Sequence, residues 1–221
     1  LQGDRRYFFV RIYPVEELAG SLDTPSVVCL GVFDGVHLGH RALIDAALSQ
    51  ARQLGITAMV HTYDPLPIQV IQPERRVPVL SPLPERLALI EQAGIQQAAV
   101  SRFDHSLQHE RGADFFTRVL LGKLNARHLV VGFNHRFGFH GDTDVDRLDQ
   151  LCRQAGVGLT VIAPIRNAQG LLVSSSAIRA AILLDDLELA ESMLGRPPDA
   201  AMIRRLQEQN HTGARSTITE G

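Results

Sequence analysis

VVCLGVFDGVHLGHRALIDAA, residues 27–47, decides the fold. It opens on an apolar run of strand type, residues 27–32. A turn follows that carries Gly31, Phe33, Asp34 and Gly35. Then His37-Leu38-Gly39-His40 runs straight into helical periodicity. A buried strand, a glycine-bearing turn and a helix N-terminus together form an anion site, because the first N–H groups of the helix have no internal partner. Glycines let a phosphate come close, since no Cβ stands in the way. His37 and His40 add donors able to carry positive charge. Three positions apart, they share a side if both lie in the first helical turn.

Composition sets bounds around that stretch. The chain has 221 residues, 45% of them hydrophobic and 21% charged, with a formal net charge of −2. These values describe an ordinary globular protein with enough chain for a sizeable core. The charge balance provides no global basic field for nucleic acid, so phosphate binding must come from local groups. Cys29 and Cys152 sit in apolar or helical contexts and read as buried thiols of a reducing compartment. No apolar run approaches the roughly 20 residues of a membrane span. With no leader pattern visible, the cytoplasm is the expected location.

Downstream, strands and helices alternate. Residues 7–12 form a candidate edge strand within an N-terminal extension, 1–25. A helix from about Gly39 to Leu54 shows Leu43, Ala47, Ala51 and Leu54 on one face, and Gly55 stops it. The second strand, 58–63, runs into Asp64-Pro65-Leu66-Pro67, whose prolines force an extended exit. Asp64 therefore sits at the carboxyl end of a strand, where open α/β sheets bind ligands; a turn-capping role would also explain it. Residues 66–83 hold several prolines and read as a mobile flap. A helix over 84–93 has Leu87 and Ile90 inward. A short strand, 98–100, precedes Phe103-Asp104. Another helix, 112–123, has Phe115, Phe116, Val119 and Leu120 as its apolar side.

The fourth strand, 126–131, leads into Gly132-Phe133-Asn134-His135-Arg136-Phe137-Gly138. Then come a helix over 144–155, with Leu148, Leu151 and Cys152 inward, and a strand over 159–163. Ser174-Ser175-Ser176-Ala177-Ile178-Arg179 opens the next helix. Serines there can cap free N–H groups. Arg179 beside those hydroxyls would make a second phosphate site. The apolar pattern ends at Leu194-Gly195-Arg196-Pro197-Pro198, and residues 199–221 are polar, with one short helix expected near 203–207. The alternation implies a parallel sheet with helices on both faces.

Together these motifs resemble a known family. His37-Leu38-Gly39-His40 is similar to the HxGH signature of nucleotidyltransferases. The longer GVFDGVHLGH resembles the FMN adenylyltransferase module of prokaryotic bifunctional riboflavin kinase/FAD synthetases. YDPLP at 63–67 is similar to that family's TFDPHP, with Tyr63 for Phe and Leu66 for His. GFNHRFG at 132–138 is similar to its VGxDFRFG or VGxNFxFG, with His135 in place of the usual Phe. SSSAIR resembles SSTxIR, with Ser176 keeping the hydroxyl of Thr.

The resemblance covers about residues 26–198. It implies a Rossmann-like nucleotidyltransferase fold and the reaction FMN + ATP → FAD + pyrophosphate. It implies His37, His40, Arg179 and Asn134 as catalytic. ATP would be held by Gly31, Phe33, Asp34, Gly35, His37, Gly39, His40, Ser174, Ser175, Ser176 and Arg179. FMN would meet Asp64, Pro65, Asn134, Arg136 and Phe137. Mg²⁺ would accompany ATP, with Asp64 or Asn134 touching it through water. Nucleic acid and membrane are not expected partners, and the resemblance implies no oligomeric state. No kinase barrel is expected within 199–221. Two alternatives stay open: transfer to another phosphorylated acceptor by an adenylyl- or cytidylyltransferase, or a nucleotide- or flavin-binding protein without turnover.

Overall fold

All five residues of β2, Ser26–Leu30, are buried, as befits an apolar run in the middle of a parallel sheet. The computed structural model describes residues 10–215. β2 pairs in parallel with β3, Thr57–Asp64, on one side and with β5, Ala126–Gly132, on the other. β4, Gln97–Arg102, extends the sheet beyond β3, and β1, Arg11–Pro14, lies outside β4. β6, Gly158–Ile162, pairs with β5 at the other edge. The order is β1-β4-β3-β2-β5-β6. From β2 the chain crosses to β3 through α1, Leu38–Leu54, and only later reaches the other side of β2 as β5. That reversal opens a crevice at the carboxyl ends of β2 and β5, where parallel sheets bind ligands.

Successive strand residues point to opposite faces, and each face is covered by helices. Val27 and Cys29 pack with Leu43, Ile44, Ala47 and Ala51 of α1, and with Leu87 and Ile90 of α3, Leu83–Gln92. Val28 and Leu30 face the other way. There they join Phe115 of α5, Gly112–Phe115, and Phe116, Val119 and Leu120 of its π-wound continuation, Phe116–Leu121. Leu148, Leu151 and Cys152 of α6, Val145–Ala155, complete that layer. Both cysteines are buried and free. Among the described residues, no helix is long and apolar enough to cross a membrane.

Four expectations need correction. The edge strand expected over residues 7–12 lies at Arg11–Pro14, with Ile12 48% exposed there. The rest of the expected strand at residues 7–9 lies outside the described residues. Leu54 is half exposed at the end of α1, and Ile44 takes a buried place instead. The proline-rich stretch contains α2, Pro67–Ile71, and its far end is anchored, with Leu80 and Ser81 buried. Finally, the short helix expected near 203–207 is present but longer, as α9, Ala200–Arg215. Its Met202 and Leu206 lie four apart, on one face. They are buried against α7, Ser175–Leu183, and α8, Leu187–Leu194, together with Leu80.

Candidate active site

The turn after β2 is strained and held from all sides. Phe33 and Val36 take positive φ of 55° and 39°, values that non-glycine residues seldom adopt and that neighbours must enforce. Asp34, 1% exposed, does much of this. Its carboxylate accepts from the backbone N–H of Leu80 at 3.1 Å and of Ser81 at 2.9 Å, and it pairs with Arg179. Ser81 Oγ accepts from Gly35 N–H at 2.8 Å. Arg196 donates to the carbonyls of Gly35 and Val36, and the buried Arg86 donates to those of Val32 and Tyr63. Gly35 has φ 81°, and a Cβ there would lie 2.7 Å from Leu80 Cδ1. Only glycine meets both conditions.

His37 and His40 emerge from this turn. His37 is the N-cap of α1, and its Nδ1 accepts from His40 N–H at 3.3 Å. A neutral imidazole accepting at Nδ1 carries its proton on Nε2. The two rings stack, with centroids 3.7 Å apart. The intervening Gly39 permits this, since a Cβ there would press on the His37 ring at 3.1 Å. Burial, with Arg196 and Arg179 nearby, pushes the His37 pKa down to about 4. Burial, then His37 and Arg86, holds His40 well below its ordinary value. Both shifts favour the neutral form of the two rings. The rings offer N–H groups, while three arginines nearby carry the charge.

The start of α7 lies against the same turn. Ser174 caps the helix, accepting from Ala177 N–H at 3.1 Å. Ser175 Oγ donates to the carbonyl of Asp34 at 2.9 Å. Arg179 donates through Nε to Pro78 O at 2.6 Å and pairs with Asp34 through Nη2.

Two cavities meet at the carboxyl ends of β2 and β5. The first, about 330 Å³, is lined by Gly31, Gly39, His37, His40, Ser174, Ser175, Asn134 and Arg136, with Phe133 and Pro164 among the remainder. The second, about 470 Å³, is more apolar, with Tyr63, Phe103, Phe115, Phe137 and Phe139 in its wall. Gly31, Val32, His135 and Arg136 line both, so the two are lobes of one cleft. Other expected site residues stand elsewhere. Phe33, Asp34, Gly35 and Arg179 support the turn from behind, and Ser176 is exposed. Asp64 and Pro65 are exposed and line neither lobe; Asp64 lies 3.7 Å from Arg86. Sequence reading missed Phe139 and the supporting role of Arg86. Only a long-range contact reveals Arg86, whereas the aromatic residues flanking Gly138 were a visible signal.

A parallel sheet with a glycine turn and a helix start at its switch point, facing a second helix start, has the architecture of the nucleotidyltransferase-like α/β fold. The chain belongs to the FAD synthetase family, whose model matches residues 20–177. It is 31% identical over 171 residues to the bifunctional riboflavin kinase/FMN adenylyltransferase of Escherichia coli strain K12, covering 77% of this chain and 54% of that one. The chain thus spans about half the length of such relatives. A putative bifunctional riboflavin kinase/FMN adenylyltransferase of Geobacillus thermodenitrificans is 34% identical over 184 residues, which is 83% of this chain and 97% of that one. Among solved structures, the fold is similar to that of a protein titled macrolide-efflux protein from Streptococcus pneumoniae. The TM-score is 0.73 at 24% identity, over 85% of this chain and 60% of that one.

Proposed function

We propose that this chain makes FAD by transferring AMP from ATP to FMN, with release of pyrophosphate. The two-lobed cleft carries this reading: one lobe is lined by N–H and hydroxyl donors, the other by aromatic rings, and they join at Gly31. The first suits a triphosphate and the second a flat tricyclic ring. FMN and ATP placed in them would meet phosphate to phosphate at the junction.

The chemistry asks little of proton transfer. A phosphate monoester's second pKa is about 6, so the attacking oxygen of FMN is already ionised. It attacks the α-phosphorus as the α–β P–O bond breaks, and pyrophosphate leaves. Positioning and stabilisation of charge on the leaving group remain for the protein. The Nε2–H of His37, the His40 ring and the free N–H groups at the start of α1 would serve from one side. Ser174 and Ser175 would serve from the other. Arg179 acts by holding the turn through Asp34; contact with the β- and γ-phosphates would require its release from that pair. Arg136 and Phe137 take the flavin side.

Among the described residues, no group of three or more His, Cys, Asp or Glu side chains forms a metal cage. Mg²⁺ fits here only as a companion of ATP, held mainly by phosphate oxygens and water. Asn134 offers an amide oxygen on the first lobe's wall. Pyrophosphate release should be measured with ATP, Mg²⁺ and either FMN or phosphopantetheine, and again with CTP replacing ATP. Release with ATP and FMN alone supports the proposal. Release only with another pair refutes it, and binding of ATP and FMN without release would assign the chain to the non-catalytic class.

A further inference from the structure

His135 lies in the wall shared by the two lobes. Four residues line both lobes, and two of them, Gly31 and Val32, bring no side-chain donor. Arg136 is a third, but its side chain is 67% exposed and leans toward Asp144 at 3.8 Å. His135 is the fourth. Its backbone N–H donates to Gly132 O at 3.0 Å, which closes a tight turn directly after β5. Its ring rests against Phe137, with centroids 5.5 Å apart, and Phe137 is in turn packed edge-on against the buried Phe115. The imidazole thus packs on an aromatic wall. Neither of its ring nitrogens has a hydrogen-bond partner among the described residues.

We propose that His135 is the specificity-determining residue for the acceptor's phosphate, donating from its ring to the phosphoryl group of FMN where the two lobes meet. This rests on the FMN reading above. A flavin whose ring fills the aromatic lobe must send its ribityl phosphate through the junction to reach ATP. Burial holds the His135 pKa at about 4, so the ring is neutral in the free protein and has one N–H to give and one nitrogen that can accept. A donor fixed here meets charged phosphoryl oxygens on a phosphorylated flavin and at most a neutral hydroxyl on riboflavin. A site built to hydrogen-bond a group discriminates against the analogue that lacks it. His135 thereby selects FMN over its unphosphorylated precursor, while Phe137 and Phe115 serve the ring common to both.

Fluorescence titrations of FMN and riboflavin into the wild type, His135→Phe and His135→Gln test this. The wild type should prefer FMN. His135→Phe keeps a planar ring and should weaken FMN by about tenfold or more, the scale of one hydrogen bond to a charged group, with riboflavin affinity unchanged. His135→Gln restores a donor and should recover part of the preference. Riboflavin binding is the control for folding within each variant. An unchanged FMN-to-riboflavin ratio in His135→Phe overturns the role of His135 while leaving the FMN reading intact. A wild type that binds neither flavin overturns both.

Discussion

Asp34 and Arg179, 145 positions apart, form an ion pair that joins the turn after β2 to the first turns of α7. The pair is well shielded, with Asp34 1% and Arg179 14% exposed. The same carboxylate fastens the backbone of Leu80 and Ser81. Two helix starts, α1 and α7, are therefore fixed relative to each other by one buried acid.

Replacing Asp34→Asn should show this. The amide keeps the shape but leaves Arg179 without its counter-charge. Breaking a buried pair from one side costs on the order of 3–5 kcal/mol. The urea unfolding midpoint should fall accordingly, and FAD formation should fall with it as the turn loosens. An unchanged midpoint would mean that Arg179 finds an equal partner elsewhere and that the clamp is dispensable.

His40 should behave differently. Its ring lines the first lobe, and its Nδ1 is buried without a partner. His40→Ala should lower turnover by about 10²–10³-fold, the scale of losing one preorganised donor, with a smaller effect on ATP affinity. Steady-state kinetics beside calorimetric ATP binding separates the two. Near-normal turnover would make the histidine a packing residue.

Low pH should destabilise the fold through buried histidines. His37 and His61 have folded pKa values of about 4 and about 3, against about 6.5 unfolded, chiefly because of burial. Between roughly pH 6.5 and 4 the unfolded chain binds protons that the folded chain does not, so stability rises with pH across that window and is lost on acidification. Near pH 5 the two together contribute a slope of about 2.5 kcal/mol per pH unit. Protonating His37 also removes the acceptor that caps α1. Unfolding midpoints at pH 7, 6 and 5 should fall steeply, and less so in His61→Gln. A flat profile, or an identical one in the variant, would place these protons elsewhere.

The alternation of apolar strand and amphipathic helix was legible because each signal is local. Ser26–Leu30 reads as a buried strand from its own residues, and Gly55, with φ 66°, stops α1 as its position suggested. The three-residue spacing of His37 and His40 put both on one side of the helix start, whereas the stacking of their rings needs His37 at the N-cap and Gly39 between them. What escaped was non-local. Asp34 looks like a phosphate-side turn residue until Leu80, Ser81 and Arg179 are seen to saturate it. The lowered pKa of His37 comes first from its burial and then from Arg196 and Arg179, and none of these can be read from the residues next to it in the chain. The helix Ala200–Arg215 was obscured because only Met202, Ile203 and Leu206 face a core supplied by α7 and α8.

The central claim is that AMP passes intact from ATP to the phosphate of FMN. ATP labelled at the α-phosphorus, incubated with this protein, Mg²⁺ and FMN, tests it most directly after chromatographic separation. The account predicts label in FAD, with one pyrophosphate released for each FAD formed. Label remaining in ATP, ADP or AMP, with no labelled flavin, would contradict it.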